Sequence, residues 1–178
     1  LMDDEQLCAI DEKSLDFRAF FHAYQENLKS NQLMDFDDQL LMANELLDRF
    51  PDILARAQRQ YRYISLDEAQ DTSLVQHKIV QKLVGRNGNI FMVGDEDQSI
   101  YGSRGAYPTA LLNFNQDYAN ASTIYMDVNW RSDQRIVMAA RKFISRNTQR
   151  HDKNMTAAAT SLGQINFIPL SDLKNQPR

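Results

Sequence analysis

The chain has 178 residues, of which 43% are hydrophobic and 25% are charged, so it can bury a core and is not a disordered tail. Its net charge of -4 excludes a protein that holds nucleic acid by bulk positive potential, so any such contact must come from a local groove. No apolar run approaches the roughly 20 residues that cross a bilayer, and the single cysteine, Cys8, forms no internal disulfide and suits a reducing cytoplasm.

Apolar residues at helical spacing dominate the beginning of the chain. They predict helices over residues 14–28, 35–50 and 51–60, with Ser14 as the N-cap of the first helix and Pro51 as the first residue of the third.

Strands and helices alternate from residue 61 onward. Strands are predicted over residues 61–66 and 89–93, separated by a helix over residues 73–84 that stops before Gly85. A turn-rich stretch follows the second strand and leads to a short helix around residues 111–114.

The last part of the chain continues the alternation. A strand is predicted over residues 123–126, a helix capped by Ser132 over residues 133–148, and a weakly alternating fourth strand over residues 165–170. The whole pattern predicts an α/β fold with a mainly parallel sheet flanked by helices.

Two sets of polar side chains have an ordinary interpretation and a functional one. A basic stripe on the last helix is expected to be a solvated face, with phosphate contact as the alternative, and comprises Lys142, Arg146, Arg150 and Lys153. The three scattered histidines are expected to be ordinary surface or helix residues, and are His22, His77 and His151.

Both central strands end abruptly in carboxylates. Asp67 and Glu68 follow the first strand, and Gly-Asp-Glu-Asp-Gln follows the second over residues 94–98. Because buried parallel strands deliver the side chains at their carboxyl ends to one edge of the sheet, we expect both segments to face one crevice.

The pair Asp67-Glu68 has the form of a Walker-B element. The first carboxylate would lie near a magnesium ion, and the second would polarise a water for attack on a phosphate. A structural alternative is that these carboxylates and Asp71 only complement the dipole of the helix that begins after Ser73.

The second segment and the only tryptophan offer further ligand-binding side chains. Gln98 could touch a terminal phosphate, while Tyr101 and Arg104 could stack on bases and hold a backbone phosphate, unless this is simply a glycine-rich turn. Trp130 and Arg131 could offer a flat surface to a purine and a guanidinium to phosphate. The alternative is a tryptophan packed in the core, with the following serine acting only as a cap.

Three ordered segments together resemble the UvrD/PcrA/Rep-like helicases of superfamily 1. Residues 67–72 resemble helicase motif II, residues 93–106 motif III, and residues 129–132 with their helix motif IV. The resemblance begins at Asp-Phe-Asp-Asp, residues 35–38, and extends to about Lys153.

The resemblance implies a partial RecA-like P-loop NTPase fold. Residues 1–120 would form the later part of a first RecA-like domain, and residues 121–178 the start of a second. The whole protein would couple hydrolysis of ATP, with Mg2+, to movement along single-stranded DNA and to unwinding at duplex junctions.

The resemblance also implies roles for individual residues. Asp67 would serve the magnesium ion, Glu68 would activate the hydrolytic water, and Gln98 would sense the γ-phosphate. Arg131 would be an arginine finger from the second domain, and Trp130 would stack on adenine where the family usually has tyrosine.

The DNA-facing residues depart most from the family pattern. Tyr101 and Arg104 would face single-stranded DNA, but Ser103 stands where these helicases commonly place a Trp or Phe that stacks on a base. Ala69 replaces a frequent aromatic of motif II, and Val128 a frequent glutamine of motif IV.

None of the six glycines belongs to a G-x-x-x-x-G-K-[ST] phosphate loop. In the family that loop lies upstream, so we expect this chain to be a fragment that is inactive alone. Two alternatives stay open, a non-catalytic nucleic-acid-binding or regulatory module and a subunit of a nuclease-coupled helicase.

Overall fold

The computed structural model describes residues 17–85, 88–118 and 120–166, with only the backbone given at Arg104, and these residues form helices and short parallel strands. The helices are α1 Phe17–Ser30, α2 Phe36–Arg49, α3 Pro51–Gln60, α4 Leu74–Val84, α5 Thr109–Leu112, α6 Phe114–Asp117 and α7 Gln134–Ile144. The strands are β1 Tyr63–Leu66, β2 Asn89–Met92, β3 Val128–Asn129 and β4 Thr156–Ala157. Three 3-10 turns lie at Ala69–Asp71, Glu96–Gln98 and Gly102–Arg104. Among these residues no helix is both long and apolar enough to span a membrane.

Side-chain caps begin the two best-defined helices at the predicted places. At α2 the Asp35 carboxylate accepts from the Asp38 N–H at 2.8 Å, and the Asp38 carboxylate accepts from the Asp35 N–H at 3.2 Å. Ser73 and Gln76 form the same reciprocal box at α4. The predicted helices over residues 35–50, 51–60 and 73–84 are therefore confirmed, while Ser14 lies outside the described residues.

Helices α2, α3 and α4 are joined through one lysine. Lys82 of α4 donates from Nζ to the Asn44 Oδ1 at 2.7 Å and to the Asp48 Oδ2 at 2.6 Å, both on α2. Gln58 of α3 donates to the Lys82 carbonyl at 2.7 Å. These contacts fix α2 and α3 against α4, which connects β1 to β2.

Strands β1 and β2 pair in parallel, from Tyr63 opposite Asn89 to Leu66 opposite Met92. The ladder continues past both strands, because the Val93 N–H donates to the Leu66 carbonyl at 2.8 Å and the Ala69 N–H to the Val93 carbonyl at 3.0 Å. The carboxyl ends of the two strands therefore lie side by side, as predicted.

A second parallel pair joins β3 to β4, with Val128 opposite Thr156. The predicted strand at residues 123–126 is wrong, since this stretch is not a strand and Ile124 and Met126 are 88% and 85% exposed. Residues 165–166 are not in a strand either, and residues 167–170 lie outside the described part. A two-residue strand exists only where a partner segment aligns with it, and the partner that the chain presents is residues 156–157.

Helix α7 is shorter than predicted and is not capped by Ser132. Asp133 occupies the N-cap position, and its carboxylate accepts a hydrogen bond from the Ser161 hydroxyl instead of capping the helix. The helix ends at Ile144, so Arg150 and Lys153 do not continue a helical stripe.

The described residues form a mixed α/β structure with two separate two-stranded parallel sheets and not one larger sheet. In the described part of the chain the buried apolar side chains are Leu47, Ala69, Val84, Ala110 and Val137. Large apolar side chains on both sheets are exposed, among them Tyr63 at 81% and Phe91 at 66%.

Candidate functional site

The two carboxylates after β1 are exposed and lie in a strained turn. Glu68 has φ 48° and ψ 43°, a left-handed conformation that is uncommon for a residue other than glycine. The Asp67 Oδ1 accepts from the Glu68 N–H at 2.9 Å. This conformation directs the chain away from the strand and into the 3-10 turn at Ala69–Asp71, and strain of this kind is typical of functional sites.

Gln70 connects the turn after β1 to the turn after β2. Its side chain is 2% exposed, and its Nε2 donates to the Glu68 Oε2 at 2.7 Å. Its Oε1 accepts from the backbone N–H of Asp95 at 3.0 Å. A methyl group at Gly94 would lie 2.7 Å from the Gln70 Oε1 and 2.9 Å from Leu111 Cδ1, so only glycine lets this carboxamide approach the end of β2.

His77 anchors the same turn from α4. The imidazole is buried, with its Nε2 2.5 Å from the Thr72 hydroxyl and 3.3 Å from the Ala69 carbonyl. Because the Thr72 hydroxyl itself donates to the Ala69 carbonyl at 2.7 Å, the Nε2 must carry the proton and donate. Burial lowers the pKa of His77, which keeps the ring neutral. His77 is therefore a helix histidine, one of the two alternatives expected for it, and it is buried and not on the surface.

The segment that resembles motif III contains three consecutive acidic residues, Asp95, Glu96 and Asp97, which we call the acidic loop. The Asp95 Oδ2 accepts from the Gln98 Nε2 at 2.8 Å, and the Asp95 Oδ1 accepts from the Lys153 Nζ at 2.5 Å. Gln98 is exposed, and its Oε1 accepts no hydrogen bond from the described residues. One face of the carboxamide is thus held by Asp95 and the other faces solvent.

Residues 150–153 hold the acidic loop from the far part of the chain. Arg150 binds the Asp97 carboxylate through two nitrogens, Nε at 2.9 Å and Nη2 at 2.8 Å. Lys153 Nζ lies 3.1 Å from the Glu96 Oε2 and 3.2 Å from the Asp97 Oδ2. These two side chains therefore belong neither to a solvated face nor to a free phosphate site.

Charge pairing in this cluster shifts the ionisation of its members. Burial alone would raise the pKa of Asp95, but the hydrogen bonds from Lys153 and Gln98 bring it below its ordinary value. The pKa of Asp97 is lowered against the same effect of burial by Arg150 and then by Lys153. Although burial opposes it, bonding to the carboxylates raises the pKa of Lys153. All these groups are therefore ionised near neutral pH.

The proposed DNA-facing residues follow the acidic loop. Tyr101 is 40% exposed and precedes the 3-10 turn Gly102–Arg104, which ends at Gly105 with φ 78°. The Ala106 N–H donates to the Tyr101 carbonyl at 3.3 Å and closes the turn. The Arg104 side chain lies outside the described part, so its predicted contact keeps the status of a prediction.

Trp130 and Arg131 project from the turn between β3 and α7. The indole is 84% exposed, which is not the packed core position of the structural alternative. Asn129 orders the turn, since its Oδ1 accepts from the backbone N–H groups of Arg131 at 3.0 Å and Ser132 at 2.8 Å. Neither Trp130 nor Arg131 forms a hydrogen bond or ion pair with Asp67, Glu68 or Gln98 in the portion of the chain described.

The acidic residues fit a magnesium ion only if phosphates and water supply most of its ligands. The described residues contain no group of three or more His, Cys, Asp or Glu side chains arranged to hold a metal. Asp67 is exposed and supplies one carboxylate, and Mg2+ often takes one or two protein carboxylates and completes its shell with phosphates and water.

Comparison with known proteins gives consistent matches. The family model of the UvrD/REP helicase N-terminal domain matches residues 3–119. The ATP-dependent DNA helicase PcrA of Leuconostoc citreum is 45% identical over 147 residues, covering 83% of this chain and 20% of that protein. The PcrA protein of Bacillus subtilis (strain 168) is 46% identical, covering 74% of this chain and 18% of that protein. The PcrA protein of Staphylococcus aureus (strain Mu50 / ATCC 700699) is 37% identical, covering 92% of this chain and 22% of that protein. The chain thus spans about a fifth of these relatives.

Proposed function

Because the chain belongs to the UvrD/REP helicase family, we propose that it is part of an ATP-dependent DNA helicase and carries one side of its ATP site. The observation that carries this proposal is the hydrogen-bonded bridge of Gln70, which joins Glu68 after β1 to Asp95 after β2. The bridge thereby fixes two segments to each other at one edge of a parallel sheet, and both segments carry side chains that are suited to binding phosphate or its metal ion.

The fold proposal is that β1 and β2 belong to a RecA-like sheet. Residues 1–120 would supply the later part of a first RecA-like domain, and residues 121–178 the start of a second. The parallel pairing of β1 with β2 through a connecting helix supports this, as do the exposed apolar side chains on the strands, which such a sheet would cover.

We assign the chemistry by position. Asp67 would hold Mg2+, which neutralises charge on the phosphates. Glu68, whose exposed carboxylate accepts a hydrogen bond from no described side chain except Gln70, would accept a proton from the attacking water. Gln98 would contact the γ-phosphate through the solvent-facing side of its carboxamide. Trp130 would stack on adenine and Arg131 would stabilise charge on the γ-phosphate from the second domain.

The DNA side of the proposal rests on the turn that follows the acidic loop. Tyr101 and Arg104 would face single-stranded DNA or a duplex junction. Ser103 has no aromatic ring, so one stacking contact with a DNA base would be absent. The relatives named as DNA helicases support a DNA substrate. A protein that acts on DNA in this way would be located in the cytoplasm.

The test is a set of substitutions in the longer protein that contains this chain. Glu68→Gln and Arg131→Ala should each abolish most ATP turnover, by about 10³- to 10⁵-fold for the arginine, while ATP still binds. Gln98→Ala should reduce the stimulation of the ATPase by single-stranded DNA. Glu26→Gln, on the exposed face of α1, is the matched control and should change none of these rates.

Two results would reject the proposal. Wild-type turnover in both Glu68→Gln and Arg131→Ala would show that the ATP site is elsewhere. Tight DNA binding without any ATPase in the longer wild-type protein would favour the non-catalytic module.

A further inference from the structure

The acidic loop is bound to residues 150–153, which lie outside the three segments that resemble helicase motifs. Arg150 reaches Asp97 across 53 positions of sequence, and Lys153 reaches Asp95 across 58. The backbone N–H of His151 donates to the Glu96 Oε1 at 2.8 Å, so all three acidic residues are engaged. The contact joins a segment before β3 to one after α7.

The burial of these groups separates them from ordinary surface ion pairs. The side chains of Arg150, Asp97 and Lys153 are 14%, 13% and 15% exposed, and that of Glu96 is 4% exposed. The pair of Lys29 with Glu26 on α1, by contrast, is 82% and 77% exposed. Exposed ion pairs contribute little to the free energy of folding. Removing one partner of a buried pair is costly, because it leaves the other charge buried and unpaired.

The contact continues directly to Gln98. Lys153 Nζ and the backbone N–H of Asp97 donate to one oxygen of the Asp95 carboxylate, at 2.5 and 3.2 Å, and the other oxygen accepts from the Gln98 Nε2. With both oxygens engaged, the plane of the carboxylate is fixed, and so is the carboxamide that donates to it. Lys153, which makes the shorter of the two contacts to this oxygen, thus contributes to the orientation of the carboxylate that holds Gln98.

We propose that residues 150–153 form an electrostatic latch on the acidic loop, and that Lys153 is a positioning residue that orients Gln98 through Asp95. This inference rests on the proposed function for its effect on ATP turnover, but the latch itself does not. When residues 150–153 move away, Glu96 and Asp97 lose the cations and the backbone N–H that hold them, and Asp95 loses Lys153 but keeps Gln98, so the loop cannot keep the same conformation. Motion of residues 150–153 is thereby transmitted to Gln98.

The first experiment measures coupling in the longer protein. Lys153→Met should lower the stimulation of the ATPase by single-stranded DNA by about 2- to 30-fold, the usual range for a residue that carries coupling without touching either ligand. Its KM for ATP should change less than its kcat in the presence of DNA. Lys153→Arg should restore much of the stimulation, and Lys142→Met, an exposed lysine of α7, is the matched control.

The second experiment tests the latch without using activity. Hydrogen exchange of the peptide that covers the acidic loop is measured in Asp97→Asn, in Arg150→Met and in the double variant. Each single substitution should accelerate exchange, and the double variant should accelerate it by much less than the product of the two single effects. Arg146→Met is the control for Arg150, since Arg146 is exposed.

The outcomes separate the two proposals. Multiplicative effects in the exchange cycle would overturn the latch, whatever the enzyme does. Wild-type DNA stimulation in Lys153→Met would overturn its role for Gln98. A wild-type protein without ATPase would reject the proposed function, while the exchange cycle would still decide whether the latch exists.

Discussion

Replacing Gln70 by methionine removes the bridge between the two strand-end segments while keeping an unbranched side chain of similar length. The carboxamide makes two strong contacts, a donation to the Glu68 carboxylate at 2.7 Å and an acceptance from the Asp95 N–H at 3.0 Å. Glu68 is exposed, so water can replace its lost donor at little cost. The part-buried Asp95 N–H has no such replacement, and leaving it unpaired costs about 1 to 3 kcal/mol.

The assay is hydrogen exchange at the Asp95 amide. A loss of about 1 to 3 kcal/mol in the free energy of local opening corresponds to exchange that is roughly 5- to 150-fold faster. Gln81→Met, an exposed glutamine on α4, should leave this amide unchanged and controls for the general effect of the substitution.

A second variant separates the two halves of the bridge. Gln70→Glu keeps an acceptor for the Asp95 N–H but places a second carboxylate beside Glu68. Protection of the Asp95 amide should therefore persist. ATP turnover of the longer protein should fall, because Glu68, the proposed base, loses the donor that holds its carboxylate and meets a like charge instead. Unchanged exchange at Asp95 in Gln70→Met would refute the reasoning, since the bridge would then not hold the loop.

Three further predictions concern other parts of the chain. Because burial lowers the pKa of His77 below its model-compound value of 6.5, the unfolded state takes up the proton first, so the free energy of unfolding should decrease as the pH falls below that value. In His77→Gln the free energy of unfolding, measured with urea at about pH 7.5 and 5.5, should differ less between the two pH values than in the wild type. An equal difference in both proteins would contradict this prediction. Trp130→Ala in the longer protein should weaken ATP binding about tenfold with no loss of thermal stability, because the indole is 84% exposed, and the reverse result would make it a core residue. The isolated 178-residue chain, which contains no phosphate loop, should hydrolyse no ATP above background; a DNA-stimulated rate lost on Glu68→Gln would contradict this.

Local sequence determined the helices and the order of the motifs. The starts of α2 and α4 were predictable because an N-cap and its partner lie three residues apart, as do Asp35 and Asp38. The family was also predictable, since the three motifs are short and contiguous, and the match over residues 3–119 confirms it. The adjacency of the ends of β1 and β2 followed from the handedness and pairing of parallel strands.

Tertiary structure decided everything that depends on a distant partner. The sequence predicted a strand at residues 123–126, yet pairing occurs at β3 because residues 156–157 align there. The left-handed backbone of Glu68, the burial of His77 and the bridge of Gln70 leave no local signal, since each depends on how α4 packs beside two strand ends.

The basic residues 150 and 153 show the difference most clearly. Their spacing alone placed them on one helical face with Lys142 and Arg146, because periodicity assumes that the helix continues. The helix ends at Ile144, and the chain turns back so that both cations meet carboxylates more than fifty positions earlier. Sequence identifies charges, but only the folded chain decides which opposite charge is close enough to desolvate and pair with them.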